Sequence, residues 1–163
     1  MYKKSLSFWS LLLGFSFSLL VSKNTAAQSI PAFSMQLTNG KVFSVKDLPH
    51  ARPVVIIYFS PDCEHCQALM NVLFKKISDF KKAEIILVTF KPLQEVVEFE
   101  KEYKTASYSN IKVGIEIPVF FFRKYYDLEN TPFTALFDKR GKLIVSYKKE
   151  TPVDDLIKHL KVL

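Results

Sequence analysis

The chain passes from strand to helix within residues 54–66, VVIIYFSPDCEHC. Residues 54–59 are all apolar or aromatic, and a run without alternation indicates a strand that is buried on both faces. The Ser-Pro-Asp turn then leads into Cys63, and residues 67–73 read as helix. The sequence therefore predicts a strand in the middle of a sheet, with Cys63 at the start of the helix that follows it.

Cys63 and Cys66 are the only two cysteines among the 163 residues. A disulfide between them would close a loop too small to remove much chain entropy, so a stabilising role is not expected. A thiolate at a helix N-terminus is stabilised by the helix dipole and by free backbone N–H groups. The spacing therefore predicts one activated thiol with a second thiol within reach.

Other uses of a cysteine pair fit this sequence less well. Structural zinc needs four ligands, but the histidines His50, His65 and His159 supply no second ligand pair at finger-like spacing. Covalent haem needs a histidine directly after the second cysteine, where this chain has Gln67. Polar residues on both sides of the pair argue against inert buried thiols. Redox chemistry is the remaining interpretation, and it requires neither a metal nor another cofactor.

The N-terminal segment has the order of a secretory signal peptide. Lys3 and Lys4 precede an apolar stretch at residues 6–21, and Thr25-Ala26-Ala27 then offers small residues for cleavage. The predicted organisation is a signal peptide at 1–27, cleaved near Ala27, and one domain at 28–163. The alternative is an uncleaved N-terminal membrane anchor, because the apolar run approaches the ~18 residues that span a bilayer. Either way, we expect an exported protein, most simply a periplasmic one.

Composition and charge fit one small domain. Hydrophobic residues make up 48% of the chain, which is enough for a packed core. The net charge is +7, and loss of the three lysines before residue 28 leaves about +4, spread among acidic residues. Because a nucleic-acid site would show a clustered basic face, we expect no nucleic-acid partner.

Further elements follow from periodicity and turn residues. Alternating segments around Asn39-Gly40 predict an N-terminal hairpin. The remaining predictions are a helix reaching to about residue 80, a strand at 84–90, a helix at 93–103, a second hairpin at 134–137 and 143–147, and a helix at 152–160. Residues 107–128 resist assignment, and 117–122 fits either a short strand or an aromatic-rich loop. Strands that alternate with helices predict an α/β fold with a central mixed sheet of four or five strands.

Over residues 33–161 the chain resembles the thioredoxin superfamily, and within it the exported TlpA-like or AhpC/TSA-related branch. The strand-Cys63-x-x-Cys66-helix unit, the hairpin before it and the segment NTPFTALFDKRGK at 130–142 carry the resemblance. It implies a thioredoxin-like fold in which Cys63 attacks, Cys66 resolves, and the two form a redox-active disulfide. It also implies that Pro132 is cis and packs against the pair, and that the Thr131 backbone binds an extended substrate strand.

Two departures from the family pattern concern the proton acceptor for Cys66. Many thioredoxins carry an acid or amide six residues before the first cysteine, where this chain has Ile57, and some TlpA-like reductases carry glutamate where it has Leu69. The proton acceptor for Cys66 could instead be Asp62, Glu64, a residue of 107–128 or water. The Pro-x-x-x-Thr-x-x-Cys signature of peroxidases is absent, which disfavours hydroperoxide reduction.

The residues between the cysteines modulate the expected chemistry in opposite directions. His65 as imidazolium would favour the Cys63 thiolate and make the pair more oxidising, whereas Glu64 would disfavour the thiolate by like-charge repulsion. We expect reduction of disulfides in exported proteins, with electrons from a membrane or periplasmic donor. The alternatives are a disulfide oxidase or isomerase, a binding module without turnover, and a copper chaperone, which the tight cysteine spacing disfavours.

Overall fold

The computed structural model describes residues 29–163, so the predicted signal peptide at 1–27 lies outside the described residues. Seven strands form one mixed sheet, with helices packed against it. In chain order the elements are β1 (Ser34–Leu37), β2 (Val42–Ser44), β3 (Val54–Phe59), α1 (Glu64–Lys75), β4 (Glu84–Thr89), α2 (Leu93–Tyr103), β5 (Ile111–Ile117), α3 (Phe121–Tyr126), β6 (Phe133–Phe137), β7 (Leu143–Lys148) and α4 (Val153–Lys161). Within this part of the chain, no helix is long and apolar enough to cross a membrane.

The strand order, β2-β1-β5-β4-β3-β6-β7, places the cysteine pair at one end of the sheet. Strands β3, β4 and β5 run parallel, and β6 runs antiparallel to β3. The carboxyl ends of β3, β4 and β5 and the amino end of β6 therefore meet at one end, which we call the cysteine end. The predicted α/β fold with a central mixed sheet and an N-terminal hairpin is confirmed. The sheet exceeds four or five strands because both hairpins join it and β5 was not predicted.

Strand β3 is buried on both faces, as its unbroken apolar run predicts. Val55, Ile57 and Phe59 pack with α1, α2 and α4 in one core layer. The alternate residues of β3 pack in a second layer with the β1–β2 hairpin and α3. All six residues of the strand are at most 2% exposed. This double burial fixes the turn after β3, and hence the cysteine pair, at the cysteine end.

Gly114 lies in β5 opposite Leu37 of β1. A Cβ atom at Gly114 would sit 2.6 Å from the carbonyl oxygen of Gln36 and 3.2 Å from Cγ of Met35. We expect Gly114→Ala to lower the free energy of unfolding by about 1–3 kcal/mol, the usual cost of overpacking. Urea denaturation measures this, with Ser146→Ala on the exposed side of β7 as the control. Equal midpoints for the two variants would contradict the close approach.

Candidate active site

Cys63 is the N-cap residue of α1, as the sequence predicts. Its backbone is extended (φ −92°, ψ 120°), its N–H donates to the carbonyl of Ser60 at 3.1 Å, and its own carbonyl accepts from the N–H of Gln67 at 2.9 Å. The amides of the first helical turn have no intrahelical partner and carry the positive end of the helix dipole. The Cys63 thiol therefore lies where a negative charge is favoured.

The two thiols differ in burial and in acidity. Cys63 is partly exposed and Cys66 is 1% exposed, and both are free thiols. Burial works against ionisation of Cys63, but hydrogen bonds from the Cys66 thiol and from the N–H groups of Cys66 and His65 outweigh it, so the pKa of Cys63 lies below its ordinary value. Burial raises the pKa of Cys66 to about 12. Near neutral pH the exposed thiol can attack, and the buried thiol holds its proton.

The loop before β6 lies against the exposed thiol. The Thr131–Pro132 peptide bond is cis, which confirms that part of the sequence prediction. The Cys63 thiol donates to the carbonyl oxygen of Thr131 at 3.6 Å. Phe133, directly after the proline, pairs with Tyr58 near the end of β3. The structure thus brings together four of the predicted site residues: Cys63, Cys66, Thr131 and Pro132.

Glu64 and His65, the predicted modulating residues, occupy the first turn of α1 and are both exposed. His65 lines an open cavity of about 360 Å³ between α1 and the segment after β7, together with Ala68, Val72 and Thr151. Both residues are next to the pair in sequence. The structure leaves their side chains at the surface, while the contacts to the two thiols come from the Ser60 turn, from Thr131 and from backbone N–H groups of the first turn of α1.

The two positions that often carry a proton acceptor hold apolar residues, and both side chains are buried in the core. Ile57 is 0% exposed and Leu69 is 6% exposed, and both belong to the core layer that contains Cys66. The buried thiol is instead reached by the N–H of Ser60, one of its polar neighbours, which donates to Sγ of Cys66 at 3.5 Å. Sequence reasoning identified Ser60 only as part of the turn, because a backbone donor leaves no mark in residue type.

Glu116 is a buried acid that the sequence did not single out. It lies in β5 and is 1% exposed. Its carboxylate accepts from the Tyr58 hydroxyl at 2.9 Å and from the N–H groups of Phe120 at 2.8 Å and Phe122 at 2.9 Å. Burial raises its pKa in spite of these hydrogen bonds. Because Tyr58 belongs to the core layer on the other face of the sheet from Cys66, Glu116 does not serve the thiols.

Among residues 29–163, no group of three or more His, Cys, Asp or Glu side chains is arranged to hold a metal ion. Cys63 and Cys66 therefore lack a third side-chain ligand of these types within that range.

Solved structures with the same fold include several redox proteins. An exposed lipoprotein thioredoxin, Etrx1, from Streptococcus pneumoniae has a TM-score of 0.61 and 20% identity, covering 82% of this chain and 100% of that one. A secreted disulfide oxidoreductase from Mycobacterium tuberculosis, described as homologous to E. coli DsbE, has a TM-score of 0.66 and 16% identity, covering 81% and 96%. A thioredoxin-like protein from Aeropyrum pernix has a TM-score of 0.63 and 12% identity, covering 81% and 89%. At these identities the likeness establishes a thioredoxin-like fold.

The family follows from the sequence itself. A search of curated proteins gives no match. The model of the AhpC/TSA family, in contrast, matches residues 26–157, which is most of the chain. With its thioredoxin-like fold and its cysteine pair at the end of the central strand, this chain belongs to the AhpC/TSA family.

Proposed function

We propose that this protein is a thiol–disulfide oxidoreductase that reduces disulfides of exported proteins through Cys63 and Cys66. One observation carries the proposal: a partly exposed thiol of lowered pKa at a helix start lies beside a buried thiol of raised pKa. The family and the fold support thiol redox chemistry in general. The asymmetry of the two thiols assigns them different steps.

The reaction follows from that asymmetry. The Cys63 thiolate attacks one sulfur of a client disulfide, forming a mixed disulfide and releasing the first client thiolate. Cys66 then loses its proton and attacks Cys63 Sγ. The bond between Cys63 and the client breaks, a disulfide between Cys63 and Cys66 forms, and the second client sulfur leaves as a thiolate. The client gains two electrons, and an electron donor in the membrane or periplasm returns the pair to two thiols.

The Thr131–Pro132 loop is the proposed client-binding segment. The Thr131 carbonyl is 3.6 Å from Cys63 Sγ, so a client cysteine bonded to Cys63 must lie close to this backbone. An extended client segment can pair with a free backbone edge through main-chain hydrogen bonds, which suits clients of varied sequence. Thr131 would supply the backbone groups, and Pro132 would shape the surface beside the disulfide.

The cellular setting of the proposal rests on the predicted signal peptide and on two neighbours described as a secreted oxidoreductase and an exposed lipoprotein. Outside the cytoplasm, spare thiols become oxidised, so a vicinal pair there needs a reductant and has disulfides to act on. We therefore place the protein in the periplasm, acting on exported clients.

Reduction of insulin in the presence of dithiothreitol tests the function. The wild-type protein should accelerate precipitation of the insulin B chain well above the rate with dithiothreitol alone. A rate equal to background would instead favour a binding module without turnover, and stoichiometric retention of Cu(I) would favour a copper chaperone. Faster oxidation of reduced client than reduction of oxidised client would favour an oxidase.

His65 should tune the reduction potential. Its imidazolium favours the Cys63 thiolate and thus the reduced form, so His65→Gln should lower the potential by about 10–30 mV, the scale expected of a solvent-screened charge. Glu64→Gln is the matched control, because it removes a charge of opposite sign and should raise the potential. Equilibration with glutathione measures both variants. Shifts below about 5 mV would assign His65 no redox role.

A further inference from the structure

Ser60 organises the turn that carries both cysteines. Its N–H donates to Cys66 Sγ at 3.5 Å, and its carbonyl accepts from the N–H of Cys63 at 3.1 Å. The residue is 4% exposed, and its hydroxyl donates to Oδ1 of Asp62. A hydrogen bond donated to a sulfur favours the thiolate over the thiol. The orientation of Ser60 therefore bears directly on how readily Cys66 ionises.

Asp62 connects this turn to the neighbouring strand. Oδ2 of its carboxylate accepts from Nζ of Lys91, just beyond β4, at 2.5 Å. Hydrogen bonds from Lys91 and Ser60 hold the pKa of Asp62 below its ordinary value, so the carboxylate stays ionised near neutral pH. Lys91 also lies 3.8 Å from Glu95 of α2. The chain of contacts runs from Lys91 through Asp62 and Ser60 to the sulfur of Cys66.

We propose that Lys91 and Asp62 are positioning residues for the resolving step, and that they act on Cys66 by fixing Ser60. The proposal rests on the proposed function, because it assigns Cys66 the resolving role. It adds Lys91 and Asp62 to a site in which Ile57 and Leu69 occupy the positions that often carry a proton acceptor. The acid next to the pair thus holds the turn in place, rather than receiving the proton itself.

The step in question is attack by Cys66 on the mixed disulfide. The Cys66 proton passes to a solvent base, Cys66 Sγ bonds to Cys63 Sγ, and the sulfur attached to Cys63 leaves with the electron pair of the broken bond. In the transition state the negative charge is shared among the sulfurs. A donor held 3.5 Å from Cys66 Sγ stabilises the thiolate from which this step starts.

Charge and position predict different outcomes for the same substitutions. If Asp62 and Lys91 acted only as charges, Asp62→Asn would favour the thiolate and speed resolution, and Lys91→Met would slow it. If they act by position, both variants slow resolution. The other charged groups around the turn are Glu64 and His65 on α1, Glu95, Glu98 and Glu102 of α2 in the cavity that Asp62 also lines, and Lys149 and Glu150 across the cavity that His65 lines.

The two steps can be followed with 5,5′-dithiobis(2-nitrobenzoate). Attack by Cys63 releases one thionitrobenzoate and leaves the other on Cys63, and attack by Cys66 releases the second. With the reagent at a concentration that makes attack by Cys63 faster than resolution, stopped-flow absorbance at 412 nm resolves two phases in the full-length protein. The Cys66→Ser variant marks the first phase, because it releases only one equivalent.

We expect Asp62→Asn and Lys91→Met each to slow the second phase by about two- to fivefold, the scale of a largely exposed ion pair. The double variant should be no slower than either single variant, because the contacts lie in series. Lys91→Arg should restore the wild-type rate, since it can still donate to Asp62. Glu102→Gln removes a negative charge from the cavity that Asp62 lines, outside these contacts, and should not slow the second phase.

The results also separate this proposal from the proposed function. A wild-type protein that releases only one equivalent of thionitrobenzoate would overturn the assignment of Cys66 as the resolving thiol. A wild-type protein with two phases, in which Asp62→Asn speeds the second or leaves it unchanged, would overturn the positioning role alone. The rate of the second phase measured from pH 6 to 9 adds a check. The positioning variants should be slower at every pH, and the logarithm of their rate should rise with pH as steeply as that of the wild type.

Discussion

Replacing Cys63 with serine should reduce insulin reduction to background, because it removes the thiol that attacks. Replacing Cys66 with serine should preserve attack and stop release, because the buried thiol that resolves the mixed disulfide is missing. The observation behind both expectations is that Cys63 caps α1 and is partly exposed, whereas Cys66 is 1% exposed. The Cys66→Ser protein should therefore accumulate covalent complexes with client proteins.

Non-reducing gels and mass spectrometry of captured clients measure this outcome. The control is the variant that lacks both cysteines, which should capture nothing and thereby exclude adhesion without a covalent bond. Capture by Cys63→Ser in place of Cys66→Ser would reverse the roles of the two thiols. Equal activity of both single variants would remove the cysteine pair from the mechanism altogether.

Removal of the Glu116 side chain should lower the stability more than Gly114→Ala does. Glu116→Ala would leave the Tyr58 hydroxyl and the N–H groups of Phe120 and Phe122 without the acceptor they now share. Each buried donor left unpaired costs about 1–3 kcal/mol, so the free energy of unfolding should fall by about 3–5 kcal/mol. That is a large part of the total stability of a small domain. Urea denaturation followed by circular dichroism measures the loss.

Glu116→Gln is the matched control, because its amide oxygen can still accept and its volume is nearly unchanged. It should lose less stability than the alanine variant at neutral pH. The stabilities of the wild-type protein and of Glu116→Gln should also differ in their pH dependence. Burial raises the pKa of Glu116 above its ordinary 4.5 in the folded state, so the stability it contributes is present at low pH and is lost as pH rises through the raised pKa. The glutamine variant should lack that loss, and parallel pH profiles for the two proteins would contradict the account.

The parts of the fold that sequence predicts best are those with strong local signals. The run at 54–59 and the helix at 93–103 match β3 and α2 residue for residue. Both hairpins form, with glycines at positive φ in their turns, Gly40 at 80° and Gly141 at 79°. Each of these depends on side-chain pattern or turn chemistry within a few residues, so no distant contact was needed to predict it.

Strand β5 was not predicted, although residues 111–117 (IKVGIEI) alternate apolar residues with Lys112, Gly114 and Glu116, the pattern of a strand. Lys112 forms an ion pair with Glu84 of β4 at 3.5 Å, and Glu116 is buried among donors from Tyr58 and the following turn. Gly114, which favours no regular element, is required by the close approach of Gln36. What local pattern does not show is that Glu116 is buried and that Gly114 faces the backbone of Gln36.

Some features of the candidate site could be predicted from the sequence, and others depend on contacts between distant segments. Cys63, Cys66 and the cis bond before Pro132 could be predicted, because motif spacing and family resemblance both point to them. The roles in catalysis and binding stay predictions for all six site residues: Cys63, Cys66, Thr131, Pro132, Glu64 and His65. The contact of Lys91 with Asp62 could not be predicted, because it depends on β4 lying beside β3 with both carboxyl ends at the cysteine end.

The reduction potential of the cysteine pair tests the central claim most directly. Equilibration of the protein with mixtures of reduced and oxidised glutathione, followed by thiol alkylation and mass spectrometry, reports the fraction carrying a disulfide between Cys63 and Cys66. The account predicts a reversible two-electron transition. Its potential should lie nearer to that of thioredoxin, about −270 mV, than to that of DsbA, about −120 mV. A potential near −120 mV would indicate an oxidase, and the absence of a reversible transition would contradict a redox-active pair.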